Sequence, residues 1–303
     1  MKTRSLLMTT GMVGLSASLL MSFPSAETAG EKAGEVIRFG VLPINQPETM
    51  ARRFDPLIAY LERETGKDFE LVTWPTGSKS GGYTAAVRGL LSGDTPLVFL
   101  APVTISQARH HDDRVQPLVC AVRGGSPTYV GEIVVRTDSD IQKVEDLKGR
   151  KVIGASPSST SGNLMPSGML VDRGIEKSEF AAMDFAGGHD KAANAVLDGE
   201  YDAAWINDKN FQKFRGKGAG LRAIWTHGPV PEMPIAVNTR YLDAGLIKQV
   251  EAALLAMHQK DPQAMKAIDP KYDQWIAVEW AAYEPVKNTI DKVHGKGFYA
   301  LTD

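Results

Sequence analysis

The chain is poor in the residues and motifs that mark most enzymes and metal proteins. It has one cysteine, Cys120, among 303 residues, so no internal disulfide and no cysteine-rich zinc site can form. The motifs G-x-S-x-G, G-x-x-x-x-G-K-[ST], H-E-x-x-H and C-x-x-C do not occur. These absences argue against hydrolase, P-loop and zinc-peptidase chemistry, and they favour a binding protein that needs no cofactor.

The charge balance gives no reason to expect a nucleic acid partner. Lysine and arginine number 34 and aspartate and glutamate 36, which leaves a net charge of −2. No internal repeat or low-complexity tract occurs, and 43% apolar residues are enough for one large core or two ordinary ones. No exposed apolar surface can be identified from the pattern, so we expect a monomer.

Residues 1–26 predict a signal peptide. Lys2 and Arg4 precede an apolar stretch of mostly small residues, and Pro24-Ser25-Ala26 provides a cleavage site. The alternative is an uncleaved membrane anchor, but hydroxyl residues and a glycine interrupt the apolar stretch, which favours a signal peptide. We therefore expect the mature protein in the periplasm.

From about residue 35 onward, strands and helices alternate. Strands are predicted at 36–41, 69–74 and 95–100, and Pro56 is expected to kink or restart the first helix. This rhythm is typical of an α/β fold with ligand loops at the carboxyl ends of the strands. Further strands are predicted at 115–122, 129–136, 152–155, 183–186, 203–207, 221–226 and 235–238, and helices at 83–91, 104–110, 162–172, 189–197 and 246–257.

The two long extended segments at 115–122 and 129–136 divide this pattern into two α/β lobes. We predict a discontinuous first lobe at residues 27–128 and 231–303, with a second lobe at residues 129–230 inserted into it. Two crossover strands then join the lobes, and a cleft between lobes that can close at a hinge is a favourable place for a small ligand.

Two predicted helix starts carry polar residues suited to an anion. The run Ser159-Thr160-Ser161-Gly162 opens one helix, and Gly187-Gly188-His189-Asp190 opens another. Helix starts expose unsatisfied N–H groups at the positive end of the dipole, so two of them directed at one point form an oxyanion cradle. The alternatives are a simple helix cap for the hydroxyl run and a structural histidine for His189.

Several segments, in order along the chain and at the predicted βα junctions, carry a family resemblance. They are Tyr83-Thr84-Ala85-Ala86-Val87, Ser126-Pro127-Thr128-Tyr129, Asp146-Leu147-Lys148-Gly149, the hydroxyl run with Pro166, and Gly188-His189-Asp190 with Asp202-Ala203-Ala204. Together they resemble the periplasmic solute-binding proteins for phosphate, phosphite and phosphonate, the PhnD-like family. The resemblance covers nearly all of the mature chain and implies a two-lobed type II binding-protein fold with its ligand in the interdomain cleft.

The resemblance also implies ligand contacts. Ser159, Thr160 and Ser161 correspond to the hydroxyls and amides that hold the oxyanion, and His189 corresponds to a second anion donor. Tyr83 and Tyr129 correspond to aromatic contacts in the cleft, where the alternative is core packing.

The departures from the family pattern concern ligand choice. Members that bind aminoalkyl phosphonates pair the ammonium with acidic residues, and Lys209 and Met233 stand at those positions, with Asp208 only adjacent. A 2-aminoethylphosphonate-type ligand is therefore not expected. The segment Ala101-Pro102-Val103-Thr104 is also less polar than the family's usual Gly-Pro and its successors.

Cys120 suggests a different ligand. A soft sulfur suits a thiophilic centre better than a hard phosphate oxygen, and arsenite is small, thiol-reactive and largely neutral at pH 7. One exported cysteine and no amine-pairing acids resemble the arsenite-binding sensor proteins of the AioX type, in which one cysteine binds As(III). The alternative is an inert core thiol.

These inferences predict a binding protein that captures arsenite through Cys120 and signals to a membrane sensor histidine kinase controlling arsenite oxidation. The alternative within binding proteins is the substrate-binding component of a phosphite, phosphate or phosphonate ABC transporter, with a membrane permease as partner. Two enzyme-like interpretations are weaker. A Cys120–His189 nucleophilic pair has no third orienting residue, and His110-His111-Asp112-Asp113 is typical of a solvated helix end rather than a metal site.

Overall fold

The computed structural model describes residues 36–44, 46–75, 81–215, 220–299 and 301. The predicted signal peptide at residues 1–26 lies outside these residues. Within the described residues, no helix has both the length and the apolar character needed to cross a membrane.

Eleven strands and nine α-helices alternate through the described part of the chain, with short 3₁₀ and π turns between them. The strands are β1 Ile37–Val41, β2 Phe69–Thr73, β3 Leu97–Phe99, β4 Val115–Arg123, β5 Thr128–Arg136, β6 Lys151–Gly154, β7 Ala182–Phe185, β8 Ala203–Asn207, β9 Leu221–Pro231, β10 Pro234–Asn238 and β11 Tyr272–Ala277. The helices are α1 Pro47–Thr65, α2 Gly81–Ser92, α3 Pro102–His111, α4 Met165–Asp172, α5 His189–Leu197, α6 Asp208–Arg215, α7 Ala244–Lys260, α8 Pro262–Ile268 and α9 Glu284–His294.

The strands form two mixed sheets, one in each lobe. The first sheet has the order β11-β4-β10-β3-β1-β2, with β1 parallel to β2 and β3 and with β10 antiparallel to β3 and β4. The second has the order β7-β6-β8-β5-β9, with β6 parallel to β7 and β8 and β5 antiparallel to β8 and β9. The predicted two-lobed α/β binding-protein fold is confirmed.

Helix α1 shows how local sequence and packing determine one element. Pro47 lies in its first turn, where a missing N–H costs no helix bond, and Gly66 ends it in the left-handed conformation at φ 66°. The helix runs without interruption through Pro56, so the expected restart there was wrong. Pro56 cannot bond the carbonyl of Arg52, but Arg52 is exposed, so water can satisfy that carbonyl.

Each sheet buries its own apolar core. The first sheet packs one face against α1, α7 and α8 around Phe39, Phe54 and Trp275, all essentially inaccessible to solvent. The second sheet buries Trp205 and Ile133 in a cluster that also includes residues of α4. Strands such as β3 and β10 are buried on both faces, because alternate side chains of each strand pack in different apolar clusters.

The chain passes between the sheets at two adjacent points. Thr128 at the start of β5 is paired with Pro231 at the end of β9, and the amide of Glu232 donates to the carbonyl of Pro127 at 2.9 Å. Residues on either side of this double crossing lie where the two lobes meet, and a polar cluster occupies that position.

Candidate ligand-binding site between the lobes

The hydroxyl run forms a π-helical turn, Thr160–Leu164, between β6 and α4. Ser159 is its N-cap, and its Oγ accepts from the amide of Gly162 at 2.9 Å. A side chain at Gly162 would place Cβ 2.4 Å from the Cβ of Ala155, so the turn packs tightly on the end of β6. Single π turns of this kind are frequent at functional sites.

Thr160 connects this turn to the first lobe. Its Oγ1 accepts from the amide of Val103, in the first turn of α3, at 3.3 Å. The start of α3 is otherwise closed by Thr104, whose Oγ1 accepts from the amide of Ala101 at 2.9 Å. The polar starts of two helices, one from each lobe, therefore face each other, whereas the sequence analysis paired the hydroxyl run with the start of α5.

Tyr129 extends the cluster from the first residues of β5. Burial of its hydroxyl raises its pKa, and the Glu232 carboxylate raises it further, while hydrogen bonds from the Thr160 and Ser161 hydroxyls partly offset both effects. The ammonium of Lys209 lies 5.7 Å from the centroid of the Tyr129 ring, a cation–π distance. The tyrosine thus has hydroxyl donors at its oxygen and a cation at its ring.

Lys209 forms an ion pair that sequence reasoning did not anticipate. Its Nζ lies 2.8 Å from Oε1 of Glu232, and the two side chains are 22% and 2% exposed. The sequence analysis identified Lys209 and Met233 as departures from the family but overlooked Glu232, the immediate neighbour of Met233. The available signal was a charged residue between the apolar segments that became β9 and β10.

Cys120 lies on β4, next to the edge strand of the first sheet, with Pro234 of β10 on one side and Ile276 of β11 on the other, and it is 2% exposed. Burial raises its pKa to about 11, the Glu232 carboxylate adds to the effect, and a hydrogen bond with Tyr283 opposes it. The thiol is therefore neutral at physiological pH.

Tyr283 connects this thiol with the point where the lobes meet. Its hydroxyl donates its one proton to the backbone carbonyl of Glu232 at 2.9 Å. The same phenol interacts with the Cys120 sulfur, which places the thiol beside Tyr283. A short series of contacts thus runs from Cys120 through Tyr283 to Glu232 at the crossing.

His189 begins α5 on the second-lobe side. The amide of Asn207 donates to Nδ1 at 3.2 Å, so the ring proton is on Nε2. Burial lowers the pKa of His189 to about 4, with the Asp190 carboxylate opposing the shift and the Lys209 cation adding to it. The imidazole is therefore neutral at physiological pH and offers an N–H donor without a net charge.

Tyr83 is less directly connected. It is half-buried on α2 and packs against an apolar cluster that includes Tyr283, Val98 and Ala236. Burial raises its pKa to about 12, so its hydroxyl is neutral. This position is on the first-lobe side, and the packing accounts for the residue without a ligand.

His227 was also missed by sequence reasoning. It lies on β9 opposite Gly131 and is 8% exposed, and neither ring nitrogen has a hydrogen bond of standard geometry to the described residues. Burial lowers its pKa to about 4, which the nearby Ser161 carbonyl partly opposes. A Cβ at Gly131 would lie 1.9 Å from Nε2, so the ring packs directly on that glycine beneath the hydroxyl turn.

Contacts and electrostatic interactions thus join most of the predicted residues. One series runs from Thr160 and Ser161 through Tyr129 and Lys209 to His189. The other runs from Cys120 through Tyr283, and both meet at Glu232. The cluster presents hydroxyl and N–H donors, one thiol and one internally neutralised ion pair.

Comparison with known proteins agrees with this architecture. Residues 39–283 match the family model described as the periplasmic substrate-binding protein of a phosphonate ABC transporter. The phosphate-import protein PhnD of Mycolicibacterium smegmatis is 31% identical over 226 residues, which cover 70% of this chain and 68% of that protein. A probable phosphite-binding protein, PhnD1 of Prochlorococcus marinus, is 26% identical over 223 residues, covering 70% and 72% of the two chains.

Solved structures show the same fold at lower sequence identity. PhnD1 of Prochlorococcus marinus in complex with methylphosphonate superposes with a TM-score of 0.71 at 20% identity, covering 86% of this chain and 98% of that one. XAC2383 of Xanthomonas citri bound to ATP gives 0.72 at 19% identity, covering 85% and 98%. The matched family is one of periplasmic solute-binding proteins, which are not enzymes. From its family match and its fold, this chain belongs to the periplasmic substrate-binding proteins of phosphonate ABC transporters.

Proposed function

We propose that this member of the family captures arsenite in the cleft, with sulfur from the first lobe and hydroxyl donors from the second. The observation that carries the proposal is the position of Cys120, whose buried thiol is linked through Tyr283 and Glu232 to the point where the lobes meet. An inert core thiol needs only apolar neighbours, whereas this one lies beside a phenol and a carboxylate.

The thiol has the protonation state that a condensation with arsenous acid requires. The Cys120 S–H and one As–OH group combine to form an S–As bond and release one water, with no oxidant or reductant. The two hydroxyls that remain on arsenic can then bond to Thr160, Ser161 and the Nε2–H of His189. Sulfur is the ligand type that soft, thiophilic centres prefer.

The electrostatics of the cluster favour a ligand without charge. Lys209 is neutralised by Glu232, His189 and Cys120 are neutral, and the Glu232 carboxylate is almost fully buried. A dianion brought beside that carboxylate would be repelled in a medium of low polarity. Arsenous acid carries no charge at pH 7 and avoids this cost.

The proposed partner is a membrane sensor histidine kinase that controls arsenite oxidation, as in AioX-type proteins. A solute-binding protein that holds arsenite for signalling would present its closed form to such a kinase rather than to a permease. The test is a deletion in the host. Arsenite-induced expression of arsenite oxidation is expected to be lost, and growth on a phosphonate as sole phosphorus source is expected to be unaffected. The opposite pattern would assign the protein to transport.

The second candidate is the substrate-binding component of a transporter for phosphite, phosphate or a simple phosphonate. The hydroxyl turn favours it, because Thr160, Ser161 and the starts of α3 and α5 are suited to any small oxyanion. The relatives named for phosphate and phosphite, and the one bound to methylphosphonate, also support it.

Isothermal calorimetry on the wild type and on Cys120→Ser separates the candidates. Titrations use arsenite, phosphite, phosphate and methylphosphonate, with thermal unfolding to verify that the variant is folded. Arsenite affinity is expected to fall more than about 100-fold in Cys120→Ser, the scale on which loss of a direct bond is measured. The second candidate is supported instead if the wild type does not bind arsenite and binds phosphite or methylphosphonate tightly, with the same affinity in Cys120→Ser.

A further inference from the structure

Carboxylates lie close together on one side of the cleft. Glu132 is buried on β5 and accepts from the Thr226 hydroxyl at 2.5 Å. Asp208 begins α6, and its Oδ1 is buried with no hydrogen-bond partner among the described residues. Burial raises the pKa of Glu132, and the Asp208 carboxylate raises it further, so the two groups interact. With Glu232, this acidic side borders Tyr129, whose pKa responds to both Asp208 and Glu232.

Lys209 supplies the positive charge that this acidic side needs. An almost fully buried carboxylate such as Glu232 is tolerated only when it is paired, because its desolvation is otherwise uncompensated. Lys209 pairs with it at 2.8 Å and lies over the ring of Tyr129. The hydroxyl of that same ring bonds to Thr160 and Ser161. One tyrosine therefore separates the hydroxyl donors from the ammonium.

We propose that Lys209 is a built-in counterion that occupies the cation position of the cleft and thereby excludes ligands that carry an amine. This inference rests on the proposed function only in placing the ligand between the lobes, whichever small ligand is bound. An aminoalkylphosphonate, with an oxyanion at one end and an ammonium at the other, would place its ammonium beside Glu232 when its oxyanion binds at Thr160 and Ser161. It is rejected because the protein's own ammonium already occupies that place.

Removal of the lysine side chain should change the selectivity of the protein in favour of ligands that carry an amine. In Lys209→Met the Glu232 carboxylate is left without its partner, and an incoming ammonium regains both the ion pair and the cation–π contact with Tyr129. The probe is the ratio of affinities for 2-aminoethylphosphonate and ethylphosphonate, which differ by the amine alone. That ratio is expected to rise by about 10- to 100-fold over the wild type, the range of one charge-assisted contact.

The controls isolate the charge at this one place. Lys213 lies on the same helix as Lys209 and forms a surface ion pair with Asp190. In Lys213→Met that pair is lost, and the ratio of affinities for 2-aminoethylphosphonate and ethylphosphonate is expected to match the wild type. In Lys209→Met/Glu232→Gln the Glu232 carboxylate is also replaced, by a neutral amide. The gain in relative affinity for 2-aminoethylphosphonate is then expected to vanish. Urea unfolding of each variant verifies that it is folded before titration.

A complementary variant keeps the test decisive if Lys209→Met does not fold. Glu232→Gln leaves Lys209 without its counterion, so phosphonoacetate is expected to gain about tenfold over ethylphosphonate. If neither variant shifts its ratio, Lys209 is not the counterion of a ligand position and the inference is overturned. The proposed arsenite function is judged separately, from Cys120→Ser, because neither ratio depends on arsenite.

Discussion

The residues proposed to bind the ligand lie at different places in the sheets of the two lobes. The second lobe supplies Thr160, Ser161 and His189 from turns and helix starts that follow strands β6 and β7. The first lobe supplies Cys120 from the middle of β4, a strand of nine residues with neighbours on both sides. Donors from strand ends are oriented by local backbone, whereas a mid-strand side chain is oriented by the pleat of the whole sheet.

That difference explains why one side was easier to predict. A hydroxyl run before a helix identifies itself in the sequence, since its chemistry and its position coincide. Whether Cys120 faces the cleft depends on register. Its neighbours Val119 and Ala121 pack in the core beneath α1 and α7, so alternation directs Cys120 to the opposite face, towards Tyr283.

The lobes also differ in how their buried groups titrate, and this gives the largest expected effect. In the second lobe, His189 and His227 have pKa values lowered from 6.5 to about 4, so the unfolded chain binds more protons between these values. The contribution of their neutral forms to the free energy of unfolding is complete above pH 6.5 and is lost as the pH falls towards 4. For His227 alone the loss is on the order of 3 kcal/mol.

In the first lobe the sign is reversed. The pKa of Cys120 is raised from 9.0 to about 11, so the folded protein binds the extra proton and stability falls as the pH rises through that interval. Urea unfolding together with hydrogen exchange should show the second sheet losing protection first in acid, and the first sheet losing it first in alkali. A His227→Gln variant should flatten the acid limb. Equal loss in both sheets at pH 4.5 would contradict the contrast.

A substitution within the hydroxyl turn should damage the second-lobe side alone. In Gly162→Ala the new Cβ would lie 2.4 Å from the Cβ of Ala155 and 3.1 Å from its amide nitrogen, so backbone must move. We expect a loss of about 1–3 kcal/mol in the free energy of unfolding, the range for overpacking. Oxyanion affinity should fall as well, while the rate of thiol alkylation at Cys120 in urea-unfolded protein stays unchanged.

Gly297→Ala is the matched control for this substitution. A Cβ there meets nothing within 4 Å, so both the stability and the affinity are expected to remain at the wild-type level. If Gly162→Ala behaves like Gly297→Ala, the turn is looser than its contacts indicate. The turn would then not be the rigid element that distinguishes the second lobe from the first, in which the sheet positions Cys120.

Much of the fold could be predicted because it is local in origin. The alternation of strand and helix up to residue 260 follows from periodicity and turn residues, and the two-lobed α/β fold is confirmed. Strand β11 and helix α9 were missed. The first pairs with β4, about 150 residues earlier in the chain, and the second packs on α4 of the other lobe, where Lys292 bonds to Asp172. No short window of sequence encodes such partners.

The candidate site was predictable in its residue types but not in its charge state. The spacing around Ser159 and His189 indicated donors, and their role in ligand binding stays a prediction, as do the roles of Cys120, Tyr83 and Tyr129. Glu232 could not be foreseen as the partner of Lys209, since 23 residues and an entire strand separate them. The absence of amine-pairing acids inferred from sequence stays a prediction: the carboxylate that the structure adds, Glu232, is paired with Lys209 of the protein itself.

The smallest expected effect distinguishes the two hydroxyls that begin the turn. The Ser159 hydroxyl oxygen accepts from the amide of Gly162 in its own turn. The Thr160 hydroxyl oxygen accepts from the amide of Val103 in the other lobe. Ser159→Ala should therefore cost about 1 kcal/mol of unfolding free energy, the usual value of an N-cap, with little change in affinity. Thr160→Val should instead weaken ligand binding about 3- to 10-fold, the value of one hydrogen bond, because that bond joins the two lobes beside the proposed ligand. Thermal unfolding and calorimetry on both variants measure the two effects. If Ser159→Ala weakens binding as much as Thr160→Val, the Ser159 hydroxyl contacts the ligand itself and the cap is secondary.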